Sequence, residues 1–438
     1  MEVMRAERHV IKRNYKFIDE LSFKTKNLYN LGNYIMRQAL FISTALKENK
    51  SLNSEQQEFL NEINTGIKAY NERGNNISLI SKENSFLCLY FLNYYLKETP
   101  DFKALPAQTA QSCLKSLTLV WKSFYASIKA WKQDKSKFLG RPKLPKYKHK
   151  SRGRYIVSFT NQQCKIKNRY IVFPKVLDGF TVKTRVESNL QQVRFIPKLG
   201  HYVIEIVYKQ EVPDKKGDNG RYLGVDIGLD NLVALSSNIG LKPVLIKGKG
   251  LKSINQYYNK KLSHLKSICK KVNKVNTTKR IQRLTAKRNA KIEDYMHKAS
   301  KDIIQYAMKN NLNTIVIGVN TNWKQEIKLG AVTNQNFVSI PFKSLIDKIR
   351  YKAENYGLNV IETEESYTSG TSFLDNELPT KENYKKSRRV KRGLFRSNTG
   401  KYINADVNAA FQIIRKVFPD VEFMDRNLYN PEVRNLGC

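Results

Sequence analysis

From about Ser22 to Lys132, apolar residues recur at three- and four-residue spacing, as in LYNLGNYIMRQALFISTAL, FLCLYFLNYYLKE and SCLKSLTLVWKSFYASIKAWKQ. A block of that length with that period must fold as helices packing on one another, with most of its aromatics in a core. The third run follows LPAQTAQ, where Thr109 or Gln108 is placed to open the helix. On either side the pattern changes. Residues Val3 to Phe17 alternate loosely and read as a first strand. After the helices, YIVSFT, YIVFP, QQVRFIPK and HYVIEIVYKQ are short strand-like runs, parted by turns such as Asp178-Gly179 and Leu199-Gly200. They predict a small antiparallel β-barrel or sheet, with the helical block inserted into it or placed before it. The fold class expected is multidomain α+β.

Between helices and strands lies FLGRPKLPKYKHKSRGR, Phe138 to Arg154. Its prolines, glycines and dense basic set predict an extended, exposed segment. VPDKKGDNGR, Val212 to Arg221, reads as a linker. A further α/β region begins at Tyr222 with the strands LGVDI, NLVALSS and PVLIKG. A basic helical hairpin follows from Leu251 to Asn311, then the strand TIVIGV, the helix FKSLIDKIRYKAENYG and the strand LNVIETE. A basic, loop-like stretch runs from Ser366 to Lys401, and a last helix is opened by Asn404-Ala405-Asp406.

The 438 residues carry 78 Lys and Arg against 38 Asp and Glu, a net charge of +40. Solubility needs far less. Nucleic acid is the partner this balance points to, ahead of an anionic membrane surface. The cations are interleaved with aromatics, which suits a groove that tracks a phosphate backbone and stacks bases. The five cysteines (Cys88, Cys113, Cys164, Cys269, Cys438) are too scattered for a CxxC zinc site or a disulfide framework, so a reducing compartment is expected. The start, MEVMRAERHVIKRNYKF, has no apolar run and is not a signal peptide. No run approaches ~18 apolar residues, so no membrane helix is expected. The expectation is a soluble, cytoplasmic protein, associated with the nucleoid.

Two acids stand where packing has no use for them. Asp226 ends the apolar strand LGVDIG, between Gly224 and Gly228, which let backbone or a ligand approach closely. Asp406, in NADVNAA, opens the last helix, where a capping role would also account for it. A second strand should bring another acid beside Asp226. TIVIGVN instead has Gly318 at the matching place, and Glu326 lies eight residues on, past the strand.

LGVDIGLDNLVAL, the strands after it and the late NADVNAA helix look like a RuvC-type nuclease of the RNase H-like fold. LPKYKHKS, SFTNQQ, LGVDIG, the helix ending YKAENYG, ESYTS and INADVNAA, in that order, resemble the TnpB family. Those are transposon-associated, RNA-guided DNA nucleases related to the type V CRISPR effectors. The resemblance covers most of residues 138–415. It implies a first strand of a wedge-like β-barrel at 1–20, a helical recognition domain at 21–134 and the rest of the barrel at 135–220. The RuvC-like nuclease would span 221–365, including the hairpin at 251–311. A nucleic-acid-binding insert at 366–401 and a closing helix and tail at 402–438 complete it. The implied partners are a guide RNA made from the transposon end and a target DNA next to a short motif, with no membrane. The implied cofactor is a pair of Mg²⁺ ions about 4 Å apart, with Mn²⁺ as substitute, held by three or four carboxylates because hard cations take oxygen ligands.

The family's zinc cysteines are replaced by Ser372, Asp375, Arg396 and Thr399, so no zinc is expected. The family's strand-end glutamate is replaced by Gly318. The next strand, LNVIETEES, ends in Glu362, Glu364 and Glu365. Eukaryotic relatives carry the acid three residues before the Thr-Ser pair, which is Glu365 here. Alternation groups Glu365 with Ile361 and Thr363, and Glu364 with Val360 and Glu362. Only one of the two can face Asp226. The expected metal ligands are Asp226, Glu365 and Asp406, with Glu364 the alternative and Gly318 making room. The expected nucleic-acid contacts are Lys146, Lys148, Arg152 and Arg154, and then Lys385, Lys386, Arg388, Arg389, Lys391 and Arg392. The function expected is a guided DNA endonuclease. A nuclease-dead protein acting by target occupancy is the alternative, motivated by Gly318 and the lost zinc ligands. Strand transfer by a Tyr or Ser nucleophile has no constellation to support it.

Overall fold

In the computed structural model the chain divides into two units, residues 2–210 and 211–438, Met1 counting with the second. Residues 1–273, 275–320, 340–391, 393–424 and 427–437 are described. Glu326, Arg392 and Cys438 lie outside them.

The first unit opens with β1 (Glu2–Ile11), whose residues alternate between exposed and half-buried as one covered face requires. The helices follow: α1 (Lys16–Lys47), α2 (Ser54–Asn71), α3 (Leu89–Leu96), α4 (Pro100–Lys103) and α5 (Ala107–Gln133). Phe17, read from sequence as strand, is therefore helical. Asn53 caps α2 through a full capping box with Gln56. Helix α5 opens at Ala107 after Pro106, not at Gln108 or Thr109, and the Thr109 hydroxyl donates to the Ser158 carbonyl instead. The strands β2 (Val157–Thr160), β3 (Lys165–Lys167), β4 (Tyr170–Val172), β5 (Thr181–Lys183), β6 (Leu190–Lys198) and β7 (His201–Glu211) complete the unit. They form a four-stranded sheet in the order β1-β7-β6-β2 and a three-stranded sheet in the order β3-β4-β5. Because β1 joins the sheet made by β2, β6 and β7, the helical block is inserted into the sheet, not placed before it.

The 138–154 segment is extended, as expected, but one face of α1 holds it. Lys26 donates to Lys150 O, Asn30 bonds both Lys148 O and Lys148 N, and Asn33 and Arg37 donate to Pro145 O. Asp19 pairs with Arg154 at 2.7 Å. These α1 residues recur at helical spacing, so the segment is strapped along one ridge.

In the second unit, β8 (Tyr222–Ile227), β9 (Asn231–Ser237), β10 (Val244–Lys247), β11 (Thr314–Val319), β12 (Asn359–Glu364) and β16 (Glu432–Arg434) form a sheet. Its order is β12-β11-β8-β9-β10-β16, with β8, β11 and β12 mutually parallel and β9 antiparallel to its neighbours. The hairpin of α6 (Lys249–Ile268) and α7 (Lys279–Lys309) and the helix α8 (Phe342–Glu354) supply one core with Leu223, Val225, Ile315 and Ile317. The insert forms a small sheet of β13 (Arg389–Lys391), β14 (Leu394–Arg396) and β15 (Tyr402–Asn404). It packs with α9 (Ala405–Val417) in a separate cluster containing Phe373, Phe395, Phe411, Ala234 and Leu245. The architecture is mixed α+β, as the sequence predicted. Among the described residues no helix is long and apolar enough to cross a membrane.

Candidate active site

Alternation along β8 sends Leu223, Val225 and Ile227 to the core shared with α7 and α8, and Gly224 and Asp226 to the opposite face. Helix α9 lies on that face. A β-carbon on Gly224 would stand 2.1 Å from Ala410 O, so only glycine lets the helix come this close. One turn before Ala410 is Asp406. The approach at Gly224 thus brings Asp406 to the level of Asp226.

Asp406 is not the helix cap. Asn404 takes that place, its Oδ1 accepting from the backbone N–H of Asp406 and Val407. The Asp406 carboxylate is left for other partners. Its Oδ2 accepts from Asn231 Nδ2 at 2.7 Å, and its Oδ1 from Arg389 Nη2 at 3.2 Å. Lys247 Nζ in turn donates to Asn231 Oδ1 at 2.9 Å.

The third acid arrives from β12. Val319 pairs with Glu364, and the next backbone N–H, that of Glu365, donates to Val319 O. Glu362 and Glu364 are exposed, with Glu362 paired to Arg350 and Glu364 accepting from the Ser366 hydroxyl. Glu365 faces the other way, into the cleft that holds Asp226 and Asp406. A turn fixes it there: Thr368, itself buried, donates its hydroxyl to Glu365 O at 2.8 Å.

The cleft has a volume of about 930 Å³. Besides the three acids it is lined by Asp230, Asn231, Lys247, Lys249, Thr368, Ser369, Arg389 and Lys391. Burial, then the charges of Asp406 and Glu365, push the Asp226 carboxyl well above the usual range, while the Arg389 guanidinium opposes them. Like charges crowded in a cleft are the arrangement that a cation relieves. The donor set, carboxylates with amide and hydroxyl oxygens around them, suits a hard divalent ion. Among the described residues, though, no group of three or more His, Cys, Asp or Glu side chains is set as a metal would require. Arg389 and Asn231 hold the Asp406 carboxylate instead.

Gly318 plays a different part from the one expected. A β-carbon there would stand 2.5 Å from Ile413 Cδ1 and 3.4 Å from Glu365 Cβ. The vacancy is filled first by Ile413 from α9, and Glu365 borders it.

The cations read from sequence separate into two kinds. Lys146, Arg152, Lys385, Lys386, Arg389 and Lys391 are exposed, the last two on the acid cleft. Lys148 lies over the rings of Tyr29 and Tyr155. Arg154 is committed to Asp19. Arg388 departs from its reading: it is 7% exposed, and both terminal nitrogens of its guanidinium are engaged by Glu377 and Asn398, which makes it a structural cation. Sequence reasoning missed Asp230, Asn231 and Lys247. The signal was the run GLDN directly after LGVDI, whose turn returns Asn231 to the same cleft.

Residues 205–324 match the family model OrfB_IS605, described as a probable transposase, and residues 342–413 match the Cas12f1-like TNB domain. Over these stretches the resemblance read from the sequence is borne out. No curated protein matches the chain. Among solved structures, similarity extends to a cryo-EM structure of a Cas12f1–sgRNA–target DNA complex, 16% identical, covering 94% of this chain and 98% of that one with a TM-score of 0.35. A CRISPR-Cas12f ternary complex is 14% identical, covering 92% and 83% with a TM-score of 0.37. Alicyclobacillus acidoterrestris C2c1 with single-guide RNA is 9% identical, covering 88% and 69% with a TM-score of 0.31.

Proposed function

We propose that the chain is an RNA-guided, metal-dependent DNA endonuclease of the TnpB kind, with residues 221–365 and 402–438 as its RuvC-type, RNase H-like nuclease. The observation that carries the reading is the convergence of Asp226, Glu365 and Asp406, from β8, the end of β12 and the start of α9, on one cleft rimmed by Arg389, Lys391, Lys247 and Lys249. Packing has no need to bring three acids together in this way. The strand order, with β12 parallel beside β11 and β11 parallel beside β8, is the order that the resemblance to an RNase H-like nuclease implies. Asp226, Glu365 and Asp406 would hold Mg²⁺ once the Arg389 guanidinium leaves the Asp406 carboxylate, and the ions would supply an activated water and charge stabilisation at the leaving oxygen. Arg389 and Lys391 would orient the scissile phosphate, and Asn231, held by Lys247, would orient Asp406. The four- and three-stranded sheets of the first unit would form the wedge-like barrel, with α1 to α5 as its recognition insert. The guide would come from the transposon end, and exposed cations such as Lys146 and Arg152 would meet RNA phosphates.

The test is cleavage of a DNA matching RNA that co-purifies with the protein. Asp226→Asn and Glu365→Gln should each lower the cleavage rate by at least 10²-fold, with guided binding kept, whereas Glu364→Gln should change it less than threefold. Wild-type cutting by Glu365→Gln would remove Glu365 from the site. The contact of Arg389 with Asp406 and the lost zinc ligands favour a second reading, a guided DNA-binding protein without nuclease activity. Acid-dependent cutting under Mg²⁺ or Mn²⁺ excludes it, and guided binding without any cutting establishes it.

A further inference from the structure

The insert between β12 and α9 contains neither cysteine nor histidine, and Ser372, Asp375, Arg396 and Thr399 stand at the positions that the family resemblance assigns to zinc-binding cysteines. Zinc does not fit this donor set. The two turns that a metal would join, 372–377 and 396–401, are nevertheless joined. Glu377 is the hub. Its Oε1 accepts from Arg388 Nη2 at 2.7 Å and Asn398 Nδ2 at 3.1 Å. Its Oε2 accepts from Ser372 N at 2.8 Å and from Arg388 Nη1. Arg388 Nη2 also donates to Asn398 Oδ1 at 2.7 Å, and Asp375 Oδ2 accepts from Asn398 N at 2.7 Å. Every one of these partners is polar and directed, so the network fixes angles as well as distances.

The first turn is also bolted to α9. Phe373 N donates to Asn408 Oδ1 at 2.9 Å, Gln412 Nε2 donates to Glu377 O at 2.9 Å, and Arg415 Nη2 donates to Asn376 Oδ1 at 3.0 Å. The N-terminus of that helix carries Asp406. Arg388 is buried, and the next residue, Arg389, emerges on the other side of the backbone against Asp406. One residue therefore anchors the insert while its neighbour reaches the acids.

We propose that Glu377, acting through Arg388, is a positioning residue. It locks the insert without a metal and so sets Arg389 across the acid cleft. Burial opposes ionisation of Glu377, but the hydrogen bonds from Arg388 and the Ser372 backbone outweigh it and hold the carboxyl below its ordinary range, while Glu377 holds the Arg388 guanidinium above its own. The proposal rests on the nuclease reading only for its effect on cleavage. Its structural part stands separately.

The experiment compares wild type, Glu377→Gln and the milder Asn398→Ala. Purified wild-type protein should contain less than about 0.1 zinc per chain, and a zinc-selective chelator should leave its melting temperature unchanged. Glu377→Gln should raise amide hydrogen exchange across Arg389–Arg396 at least tenfold while α7 and α8 stay protected, and Asn398→Ala should do so to a lesser degree. If wild type cuts DNA, Glu377→Gln should lower the single-turnover rate about tenfold or more at unchanged target affinity. In an Arg389→Ala background the same change should cost less than twofold, because its route is already gone. Stoichiometric zinc, unaltered exchange in both variants, or an equal loss of rate in the Arg389→Ala background would overturn the proposal. If wild type does not cut, the nuclease reading fails, and exchange with zinc content decides this one.

Discussion

At Gly318 a side chain from a distant part of the chain takes the space that a β-carbon would need. Ile413 Cδ1 would lie 2.5 Å from a β-carbon there, and Ile413 is fully buried. A methyl group in a packed core forces neighbours off their rotamers. Gly318→Ala should therefore lower the free energy of unfolding by about 1–3 kcal/mol in a denaturant titration. Ile413→Val removes the atom in conflict, so Gly318→Ala should cost distinctly less in that background than alone, a coupling expected only between residues in contact. Additive costs would show that the conflict lies elsewhere. The sequence displayed the glycine and the glutamates; alternation put Glu365 on the opposite face from Glu362 and Glu364, and the family resemblance chose between the faces. It could not display Ile413, which lies on the next face of a helix nearly a hundred residues on. Asn404 and Arg388 teach the same lesson. An N-cap beside an Asp, and an arginine within a basic run, look interchangeable with their neighbours until the structure shows which side chain caps the helix and which arginine is buried.

Elements with enough length to express a period were legible, and most three-residue strands were not. Strands β8, β9 and β11 announce themselves as apolar runs, and helices α1, α5 and α7 by a stripe. β3, β5, β13, β14, β15 and β16 are three residues each and show no period. Between long elements, specific pairs fix the packing. Glu293 on α7 meets Lys348 on α8 at 2.7 Å, and Lys348 is buried. A hydrogen bond from His297, reinforced by Lys348, holds the Glu293 carboxyl down to about 2 against the opposing effect of burial. The folded state thus prefers the ionised acid more than the unfolded chain does. The contribution is complete above about 4.5, the unfolded value, and is lost as pH falls towards the folded value. Glu293 is partly exposed, so the pair is screened and amounts to about 1 kcal/mol. Glu293→Gln should lose about that much at pH 7, and the difference from wild type should shrink as pH is lowered from about 5 to 3, as followed by urea melts. A gap that stays constant with pH would assign the loss to packing.

For the whole molecule, the sequence left one choice open that topology closes. Whether the helical block was inserted or merely placed first depended on β1, and sheet pairing between β1 and β7 is a contact across about two hundred residues that no local pattern encodes. Charge, by contrast, was legible at once, because +40 needs no fold to be counted. Its consequence is also global. A protein that neutralises roughly 6–10 phosphates loses about 10³–10⁵ in affinity between 50 and 200 mM salt. Under the proposed function, affinity for RNA should fall over that range, read as the slope of log affinity against log salt. Individual cations should not contribute alike. Lys146 and Arg152 are exposed, so Lys146→Ala and Arg152→Ala should each reduce the slope by about 1 and leave the melting temperature alone. Arg154 and Arg388 hold Asp19 and Glu377, so replacing either should lower the melting temperature while the slope stays nearly constant. Were all four to act alike, the division between structural and phosphate-binding cations drawn from their burial would not hold.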